Sequence, residues 1–475
     1  MIYNDMMMII SDKTDKRTLW ICLAAAFGGL LFGFDTAVIS GAIELIKTQF
    51  HLNAVTEGWL VSSGLLGSII GVFAAGLLSD KVGRKKVLLL SAALFLISAI
   101  GCAMANSSSI LILFRLIGGV GVGIASVISP MYITEFAGSK VRGRMVAFYQ
   151  LAITIGILLA YFSNAWLLTL FNNGAQENST FLFGLSKMEV WQSMFLVMAL
   201  PSILFLIFIL FVPESPRWLI SKNRKEKALS ILQKVNNEEV AAQTFKTIED
   251  ASVARGKSQR SVLIKEMRMP LFIGMILCIF QQFSGINAII YYGPKIFTLA
   301  GLNGGNALQA QVIIGVVNVI FTTIAISQSD KFGRKPLLTI GLAGMILSLV
   351  MAGACFYTGN LNGIFLLTML VLFIACFALS VGPVTWILIN EIFPDDVRAK
   401  AVSICTFTLW SAAWLVGQFF PWLLEHVGAT GVFWIFAGCS LLNLIFCRKV
   451  LVETKGKTLE EIESIYVHPK TASLQ

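Results

Sequence analysis

The sequence predicts an all-α membrane protein in which twelve transmembrane helices form two pseudo-symmetric halves of six helices each. Three observations lead to this fold class. Hydrophobic residue types make up 56% of the 475 residues and charged types only 13%, about half the charged share of an average soluble domain. Twelve apolar runs are each long enough to cross a bilayer. Charged motifs of the first half recur in the second half, 250 residues later.

The spans follow from the length of the apolar runs, since a helix needs about 20 mainly apolar residues to cross a bilayer. In the first half the predicted spans 1 to 6 cover residues 19–42, 58–78, 87–105, 110–133, 145–167 and 190–212. In the second half spans 7 to 12 cover residues 271–298, 309–328, 337–357, 363–389, 401–423 and 430–451. The first run carries Asp35 and ends without a small-residue cleavage site, which indicates a true span and not a signal peptide.

Lysine and arginine are distributed very unevenly between the two sides of these spans. Of the 36 residues, Arg115 lies within span 4, Lys47, Lys187 and Lys295 lie on one side, and the other 32 lie in the tails and in the loops after even-numbered spans. Because cytoplasmic loops carry the excess of basic residues, both termini are predicted to be cytoplasmic in an integral protein of the cell membrane. The net charge of +10 is therefore a topology signal, and it does not indicate nucleic-acid binding.

The domain organisation follows from the same pattern. A polar segment with twelve lysines and arginines separates the two groups of six spans and is predicted to be a cytoplasmic linker with short helices. A single chain of this architecture forms a central cleft, so a monomer in contact with membrane lipid is expected. The predicted domains are a cytoplasmic N-terminal tail at 1–18, a six-helix half at 19–212, the linker at 213–270, a second half at 271–451 and a cytoplasmic C-terminal tail at 452–475.

Three charged landmarks repeat in register between the halves. DKVGRKK at 80–86 follows span 2, and DKFGRKP at 330–336 follows span 8. The residues Glu135 and Arg142 after span 4 match Glu391 and Arg398 after span 10, and the PES sequence after span 6 is echoed by VET after span 12. Parallel repeats of this kind, with a binding site near the midplane between them, are typical of secondary transporters.

Six motifs carry a resemblance to a known family: DKVGRKK (80–86), RLIGGVGVG (115–123), PESPRWL (213–219), QQFSGINAIIYY (281–292), DKFGRKP (330–336) and GPVTW (382–386). With these motifs, residues 19–463 resemble the sugar porter family of the major facilitator superfamily. PESPRWL together with QQxxGIN is specific to sugar porters, whereas DxxGRK indicates only the superfamily. The greatest likeness is to bacterial proton-coupled xylose, galactose and arabinose symporters, which implies the major facilitator fold.

Charged residues at the cytoplasmic helix ends are predicted to form a gate network. Alternating carboxylates and guanidiniums can form bidentate pairs, and pairs between the halves would hold an outward-facing state and break on inward opening. The alternative is that they only anchor loops. The resemblance adds Glu214, Arg217 and Glu453, which would dock the linker helices onto this network. The predicted network comprises Asp80, Arg84, Glu135, Arg142, Glu214, Arg217, Asp330, Arg334, Glu391, Arg398 and Glu453.

Polar side chains within the spans are costly in a bilayer and are functional candidates for that reason. Amides suit a sugar because they donate and accept hydrogen bonds without net charge, and aromatic rings suit its apolar face. Each amide could alternatively pack the bundle through an interhelical hydrogen bond, and each tryptophan could face lipid. The resemblance assigns sugar contacts to Gln150, Gln281, Gln282, Asn287, Asn318 and Trp386, and it places the aromatic residues Phe32, Tyr291 and Trp410 around the same cavity.

Four further sequence features bear on the identity of the sugar and on the shape of this site. Ile157 stands where the xylose symporter pattern has a second glutamine in span 5, and Ala413 stands where several relatives have asparagine, so the sugar is left undefined. Gly285 is expected to loosen span 7. The Gly382–Pro383 pair is expected to break span 10 beside Trp386, since proline removes a backbone donor.

Asp35 in span 1 and Arg115 in span 4 are the candidate proton-coupling pair. Burial disfavours a charged carboxylate whereas a nearby guanidinium favours it, so the proton affinity of Asp35 would change as the pair opens and closes. The alternatives are a structural ion pair, or an Asp35 wetted at the outer surface. The resemblance implies coupling, because proton symporters of the family have aspartate here and facilitative animal glucose carriers have asparagine.

The resulting hypothesis is a secondary active transporter that imports a monosaccharide, a hexose or a pentose, by proton symport with alternating access. The alternatives are a facilitative sugar uniporter with the same site, a non-transporting sugar sensor, and a channel. No Walker motif is present, so ATP is not the expected driver. The protein is not expected to be an enzyme or to hold a cofactor or a metal, since its three histidines are far apart and its eight cysteines lie in apolar runs without a CxxC pair.

Overall fold

The computed structural model describes most of the chain, and every regular element in the part that it describes is a helix. The described residues are 13–137, 142–172, 188–235, 237–255, 267–359, 363–394, 397–457 and 461.

Twelve helices of the described chain are long and apolar enough to cross a membrane, so the predicted number of spans is confirmed. Spans 1 to 6 are Lys16–Phe50, Ala54–Val82, Arg84–Ala103, Ser108–Phe136, Met145–Asn172 and Val190–Phe211. Spans 7 to 12 are Arg268–Leu299, Gly304–Ile326, Arg334–Tyr357, Gly363–Glu391, Lys400–His426 and Gly428–Val450. Four of these spans belong to longer helices, namely Lys13–Phe50, Arg142–Asn172, Gly304–Phe332 and Arg398–His426.

The ends of span 1 and span 2 show why the predicted bounds are too short. An apolar window stops at the first charged side chains, but the helix of span 1 continues through Glu44 and Lys47 to Phe50. Span 2 begins directly after Asn53, whose side chain accepts a hydrogen bond of 2.9 Å from the backbone N–H of Thr56. A capping side chain therefore defines the start of span 2, and hydropathy does not.

Three spans are interrupted and consist of two helices each. Span 6 comprises Val190–Val197 and Ala199–Phe211, span 7 comprises Arg268–Phe283 and Ile286–Leu299, and span 10 comprises Gly363–Leu379 and Val381–Glu391.

The interruptions of spans 7 and 10 lie beside the predicted site. Gly285 separates the two helices of span 7 with φ of 88°, a left-handed conformation in which an L side chain is strained. In addition, a Cβ atom there would lie 2.4 Å from the ring of Phe436. In span 10 the interruption lies at Ser380, two residues before the predicted Gly382–Pro383 pair. Pro383 instead occupies the first turn of the second helix, where no backbone N–H is needed.

Three linker helices, Pro216–Ser221, Lys225–Val235 and Glu238–Arg255, follow span 6. They lie against the first half, since Trp218 Nε1 donates to the backbone oxygen of Asp80 at 3.2 Å and Arg17 Nη1 donates to that of Lys234 at 2.8 Å. This end of the bundle is called the linker side below. The opposite end, where residues 51–53 join spans 1 and 2, is called the far side.

Glycines allow the spans of the first half to cross at close range. A Cβ atom on Gly67 of span 2 would lie 2.1 Å from the backbone oxygen of Leu116, and one on Gly123 of span 4 would lie 2.1 Å from that of Ser68. Such small-residue contacts let the backbones of membrane helices approach. The RLIGGVGVG motif is therefore a packing surface of span 4 against span 2.

Among the described residues, the most extensive contacts between the halves are those of spans 2 and 11, spans 5 and 8, and spans 1 and 7. One of these contacts supplies a hydrogen-bond donor to a backbone oxygen of span 7 that lacks its partner within the helix. Pro294 lacks the N–H that would bond to the backbone oxygen of Ile290, and Tyr161 of span 5 donates to that oxygen instead, at 3.1 Å. Gln311 of span 8 donates to it as well, at 3.4 Å.

Candidate functional site

Asp35 and Arg115 form a buried ion pair between spans 1 and 4. Arg115 Nη1 donates to Asp35 Oδ1 at 3.1 Å and to the backbone oxygen of Asp35 at 3.0 Å. The side chains are 4% and 3% exposed, so Asp35 is not a wet surface carboxylate. The guanidinium carbon also lies 5.9 Å from the centre of the Phe195 ring, a distance at which a cation and an aromatic face attract each other.

Two glycines make room for this pair. A Cβ atom on Gly64 of span 2 would lie 3.0 Å from Arg115 Nη2. A Cβ atom on Gly118 of span 4 would lie 3.2 Å from Asp35 Oδ1 and 2.4 Å from Ser98 Oγ. Any larger side chain at either position would push on the ion pair or on its nearest neighbours.

A cavity connects the ion pair with the aromatic residues of the second half. The Phe32 ring lies close to one of these residues, with its centre 5.4 Å from that of Trp410. The predicted coupling pair and the three predicted cavity aromatics thus lie in one region at the interface of the halves. The cavity is lined by Asp35, Thr36, Val61, Gly64, Leu65, Ser68, Arg115, Val122, Tyr291 and Trp410.

The interruption of span 7 carries the predicted amides. Asn287 Nδ2 donates to Gln282 Oε1 at 2.6 Å, so these side chains pair across Gly285. This bond uses one donor and one acceptor, which leaves the NH₂ group of Gln282 and the oxygen of Asn287 outside it. Gln282 is 6% exposed and Asn287 is half-buried.

Gln281 connects spans 7 and 10. Its Nε2 lies 3.1 Å from the backbone oxygens of both Val381 and Gly382, to which it donates, at the start of the second helix of span 10. Its Oε1 is buried and accepts no hydrogen bond within the described part of the chain. Part of this amide is therefore a structural link between two interrupted spans, while its acceptor faces a site without a protein partner among the described residues.

The remaining three predicted sugar-contact residues lie on other helices. Gln150 of span 5 and Trp386 of span 10 are half-buried. Asn318 of span 8 is 9% exposed and its Oδ1 accepts from Thr322 Oγ1 at 3.5 Å. None of the hydrogen bonds described for these three reaches the span 7 amides, so their convergence on one ligand stays a prediction.

The described ion pairs of the predicted gate network lie within one half each. In the first half, Arg84 lies 3.3 Å from both Glu135 and Asp80. In the second half, Arg334 lies 2.9 Å from Glu391, and Arg398 Nε donates to the backbone oxygen of a nearby phenylalanine at 3.1 Å.

The expected pairing between the halves is therefore not among the described contacts on the linker side. In this structure the halves touch at the far side, and the described ion pairs of Arg84 and Arg334 on the linker side are with carboxylates of their own half. The side chains of Arg142 and Asp330, also assigned to the network, lie outside the described residues. A gate in a second conformation stays a prediction.

Glu214 and Glu453 occupy equivalent positions after the last span of each half, and their carboxylates lie at the starts of spans 3 and 9. Glu214 Oε1 accepts from the backbone N–H groups of Arg84 and Lys85 at 2.9 and 3.1 Å. The two oxygens of Glu453 accept from those of Arg334 and Lys335 at 2.9 and 3.0 Å. The first N–H groups of a helix have no partner within it, and they attract negative charge. Both carboxylates are thus helix caps, a role that was not predicted from the sequence.

The glycines of the two repeated motifs are required by these caps. Gly83 and Gly333 have φ of 100° and 85°. A Cβ atom on Gly83 would lie 2.3 Å from Glu214 Oε2, and one on Gly333 would lie 2.9 Å from Glu453 Oε2. Partial burial acts to raise the pKa of Glu453, but the backbone N–H groups bonded to it outweigh burial and hold its pKa below the usual value.

Four charged residues on the far side form a cluster that was not predicted from the sequence. Glu57, at the start of span 2, is fully buried and accepts a hydrogen bond from Lys295 Nζ of span 7. Lys47 Nζ lies 3.0 Å from its other oxygen, and Lys295 Nζ lies 3.7 Å from Glu44 Oε1. A signal was available: Lys47 and Lys295 are two of the three basic residues predicted outside the cytoplasm.

Twelve spans in two halves around a buried cavity define a two-domain membrane transporter. The chain belongs to the sugar (and other) transporter family, whose family model matches residues 21–466. The resemblance identified from the motifs is thereby confirmed, and the family is one of transporters and not of enzymes.

Two relatives illustrate the similarity. The arabinose-proton symporter of Bacillus subtilis (strain 168) is 42% identical over 448 residues, which cover 94% of each chain. The D-xylose-proton symporter of Escherichia coli (strain K12) is 38% identical, and the match covers 96% of each chain.

Solved structures show the same fold. The major facilitator superfamily proton:xylose symporter XylE bound to 6-bromo-6-deoxy-D-glucose is 37% identical, with a TM-score of 0.78 over 95% of this chain and 100% of that chain. A partially occluded inward-open conformation of XylE from E. coli gives a TM-score of 0.80 over 93% of this chain and 100% of that chain. The predicted fold class is confirmed.

Proposed function

We propose that this protein is a secondary active transporter that imports a monosaccharide together with a proton. The family and the printed activities of the arabinose, xylose and galactose symporters among its relatives support this proposal. One observation of the chain itself carries it: the buried Asp35–Arg115 pair lines the same cavity as Tyr291 and Trp410.

The proton is proposed to act on the Asp35 carboxylate. A protonated Asp35 is neutral, and Arg115 then loses the charged partner that lies 3.1 Å away. The bond from Arg115 to the backbone oxygen of Asp35 remains available, so the guanidinium stays attached to span 1 but less strongly. Protonation therefore changes how firmly spans 1 and 4 hold together, and it biases an equilibrium between access states.

The sugar is proposed to bind at the interruption of span 7. The Gln282–Asn287 pair and the acceptor of Gln281 offer hydrogen-bonding groups of both kinds, which sugar hydroxyls need. Gln150, Asn318 and Trp386 are proposed to complete the site, with Phe32, Tyr291 and Trp410 facing the apolar side of the ring. Because Gln281 is also bonded to span 10, sugar binding to Gln281 would affect the interruptions of both span 7 and span 10.

The linker side is proposed to be cytoplasmic, with both termini there, since 32 of the 36 lysines and arginines belong to that side. The twelve apolar helices support an integral protein of the cell membrane. The two six-helix halves, the linker and the tails are proposed as the domains, in a monomer surrounded by lipid. The contact of the halves at the far side and the described linker-side ion pairs within each half support our proposal that this is an inward-facing arrangement of an alternating-access cycle.

Uptake by proteoliposomes tests the proposal. Purified protein is reconstituted, and accumulation of labelled hexoses, pentoses and inositol is measured with and without an imposed inward proton gradient. Symport requires that at least one sugar accumulates above its external concentration only when the gradient is present. Equilibration that ignores the gradient would support the uniporter alternative, and binding without any flux would support the sensor.

A further inference from the structure

The far-side charge cluster joins the two halves of the molecule through one side chain. Glu44, Lys47 and Glu57 belong to spans 1 and 2 of the first half, and Lys295 alone comes from the second half. Lys295 contacts both carboxylates. Two carboxylates and two ammonium groups make the cluster neutral, so each charge has a partner in this arrangement.

We propose that the Lys295–Glu57 ion pair is a latch that closes the outer entrance of the transport path, and that Lys47 is the counter-ion of Glu57 when the latch is open. The inference rests on the proposed function, because that function makes the far side the outer side and requires it to open.

The burial of Glu57 explains why two lysines are present. Its side chain is fully buried, and a buried carboxylate without a partner is strongly unfavourable. If the halves separate at this end, Lys295 leaves with span 7, but Lys47 remains 3.0 Å from Glu57 within the first half. The position of Glu57 in the first turn of span 2 adds the favourable field of a helix N-terminus. Glu57 can therefore stay charged in both states.

Lys295 is placed to return to water when the latch opens. Its side chain is 14% exposed, whereas the side chains of its neighbours Glu44 and Lys47 are 46% and 36% exposed. The cluster thus extends from the buried Glu57 to the solvent. An ammonium group that is released at such a boundary regains hydration, which makes the latch reversible.

A direct contact of the halves lies immediately below the latch. Ser62 of span 2 donates to Gln418 Oε1 of span 11 at 2.7 Å, and Gln418 Nε2 donates to the backbone oxygen of Val55 at 3.2 Å. Ser62 is fully buried. A reagent from the outer side can reach this position only after the far side has opened, which makes it a reporter for the latch.

The experiment measures access from outside in the full-length protein. Ser62→Cys is introduced, and the rate of labelling by a membrane-impermeant maleimide is followed in oriented proteoliposomes. The chain with Ser62 intact gives the background, because its eight native cysteines are buried or half-buried. Lys295→Gln is expected to speed labelling of the introduced thiol by about tenfold or more, since it removes the buried pair that joins the halves.

Lys47→Gln is the matched control. It removes a lysine from the same carboxylate but leaves the Lys295–Glu57 pair between the halves in place. Because it removes the proposed counter-ion of Glu57 in the open state, labelling is expected to slow, opposite to the effect of Lys295→Gln. The charge reversal Lys295→Glu is expected to speed labelling, and the double variant Glu57→Lys/Lys295→Glu is expected to slow it again. The double variant also covers the case in which a single substitution lowers the yield of folded protein.

Two outcomes would overturn the latch. One is a labelling rate in Lys295→Gln and Lys295→Glu equal to that of the parent. The other is an equal acceleration in Lys47→Gln, which would mean that the charge of Glu57 matters and the connection between the halves does not. Labelling needs no sugar flux, so the latch can still be tested if the transport assay shows no symport. Likewise, a negative labelling result does not affect the transport assay.

Discussion

At the residue scale, Asp35 is the position on which we propose that the mode of transport depends. Its carboxylate is buried against Arg115, and an asparagine there would keep the size of the side chain and lose the titratable group. Asp35→Asn is therefore expected to abolish uphill sugar accumulation in a proton gradient and to preserve sugar exchange between the two sides. Both are measured in proteoliposomes with the same labelled sugar. Unchanged accumulation would remove Asp35 from the coupling mechanism.

Gln282 offers the sharpest test of the sugar site. Gln282→Ala would leave a sugar hydroxyl, and the Nδ2 donor of Asn287, without their partner. The expected loss of binding free energy is about 1–3 kcal/mol, which is a dissociation constant about 5- to 150-fold higher. Isothermal titration with the sugar found in the uptake panel measures it. Normal affinity in a folded variant would place the sugar away from span 7.

Sequence reasoning found these residues because charged and amide side chains are rare within apolar spans. Asp35 and Arg115 are 80 residues apart, yet each could be identified because it is a charged residue within an apolar span. Glu57 and Lys295, 238 residues apart, lie near helix ends, where a charge is ordinary. Only the packing of spans 2 and 7 shows that Glu57 is buried and that a lysine of the other half neutralises it.

At the scale of elements, the repeated DxxGRK motifs are explained by the way in which the N-terminus of the following helix is capped. Each DxxGRK sequence ends one span and begins the next, and a glycine with positive φ lies between the two helices. A carboxylate from the end of the same half accepts hydrogen bonds from the first backbone N–H groups of the second helix. The repetition itself was visible in the sequence. The partner of each glycine was not, because Glu214 and Glu453 lie more than a hundred residues further along the chain.

Glu214→Gln and Glu453→Gln are therefore expected to have matching effects. Either change keeps an acceptor and loses the charge at a helix N-terminus, at an expected cost of about 0.3–1 kcal/mol in stability. Thermal unfolding of the purified protein measures it. The control is Asp250→Asn, at an exposed position within the last linker helix and away from its N-terminus. An effect in one half only would show that the two caps are not equivalent.

The cap at Glu453 also gives a pH dependence. Its pKa is lower in the folded protein than the usual value, so its contribution to stability is complete above the usual pKa of a glutamate and is lost as the pH falls through the lower folded value. The difference in thermal stability between the parent and Glu453→Gln is expected to narrow as the pH falls through this range. A difference that stays constant at acid pH would contradict the role of the charge.

At the scale of the whole molecule, the spans, their order and the two-fold repeat were predictable from apolar length and basic-residue asymmetry. The relation between the halves was not. Hydropathy contains no information on which end of the cleft is closed, because both arrangements bury the same spans. In this structure spans 2, 7 and 11 bring the halves into contact at the far side, where Lys295 pairs with Glu57. On the linker side, the described ion pairs lie within one half each, so we propose opposite roles for the two charge clusters.

This contrast leads to a prediction for the linker-side network. If Arg84 helps to join the halves in the outward-facing state, Arg84→Gln removes a contact between the halves in that state, in addition to the pairs with Glu135 and Asp80 within the first half. The population then shifts toward the inward-facing state, and labelling of Ser62→Cys from outside is expected to slow, opposite to the effect of Lys295→Gln. If Arg84 only anchors its own loop, the variant loses thermal stability and labels at the parental rate. The sign of the change in labelling thus decides between a gate and an anchor.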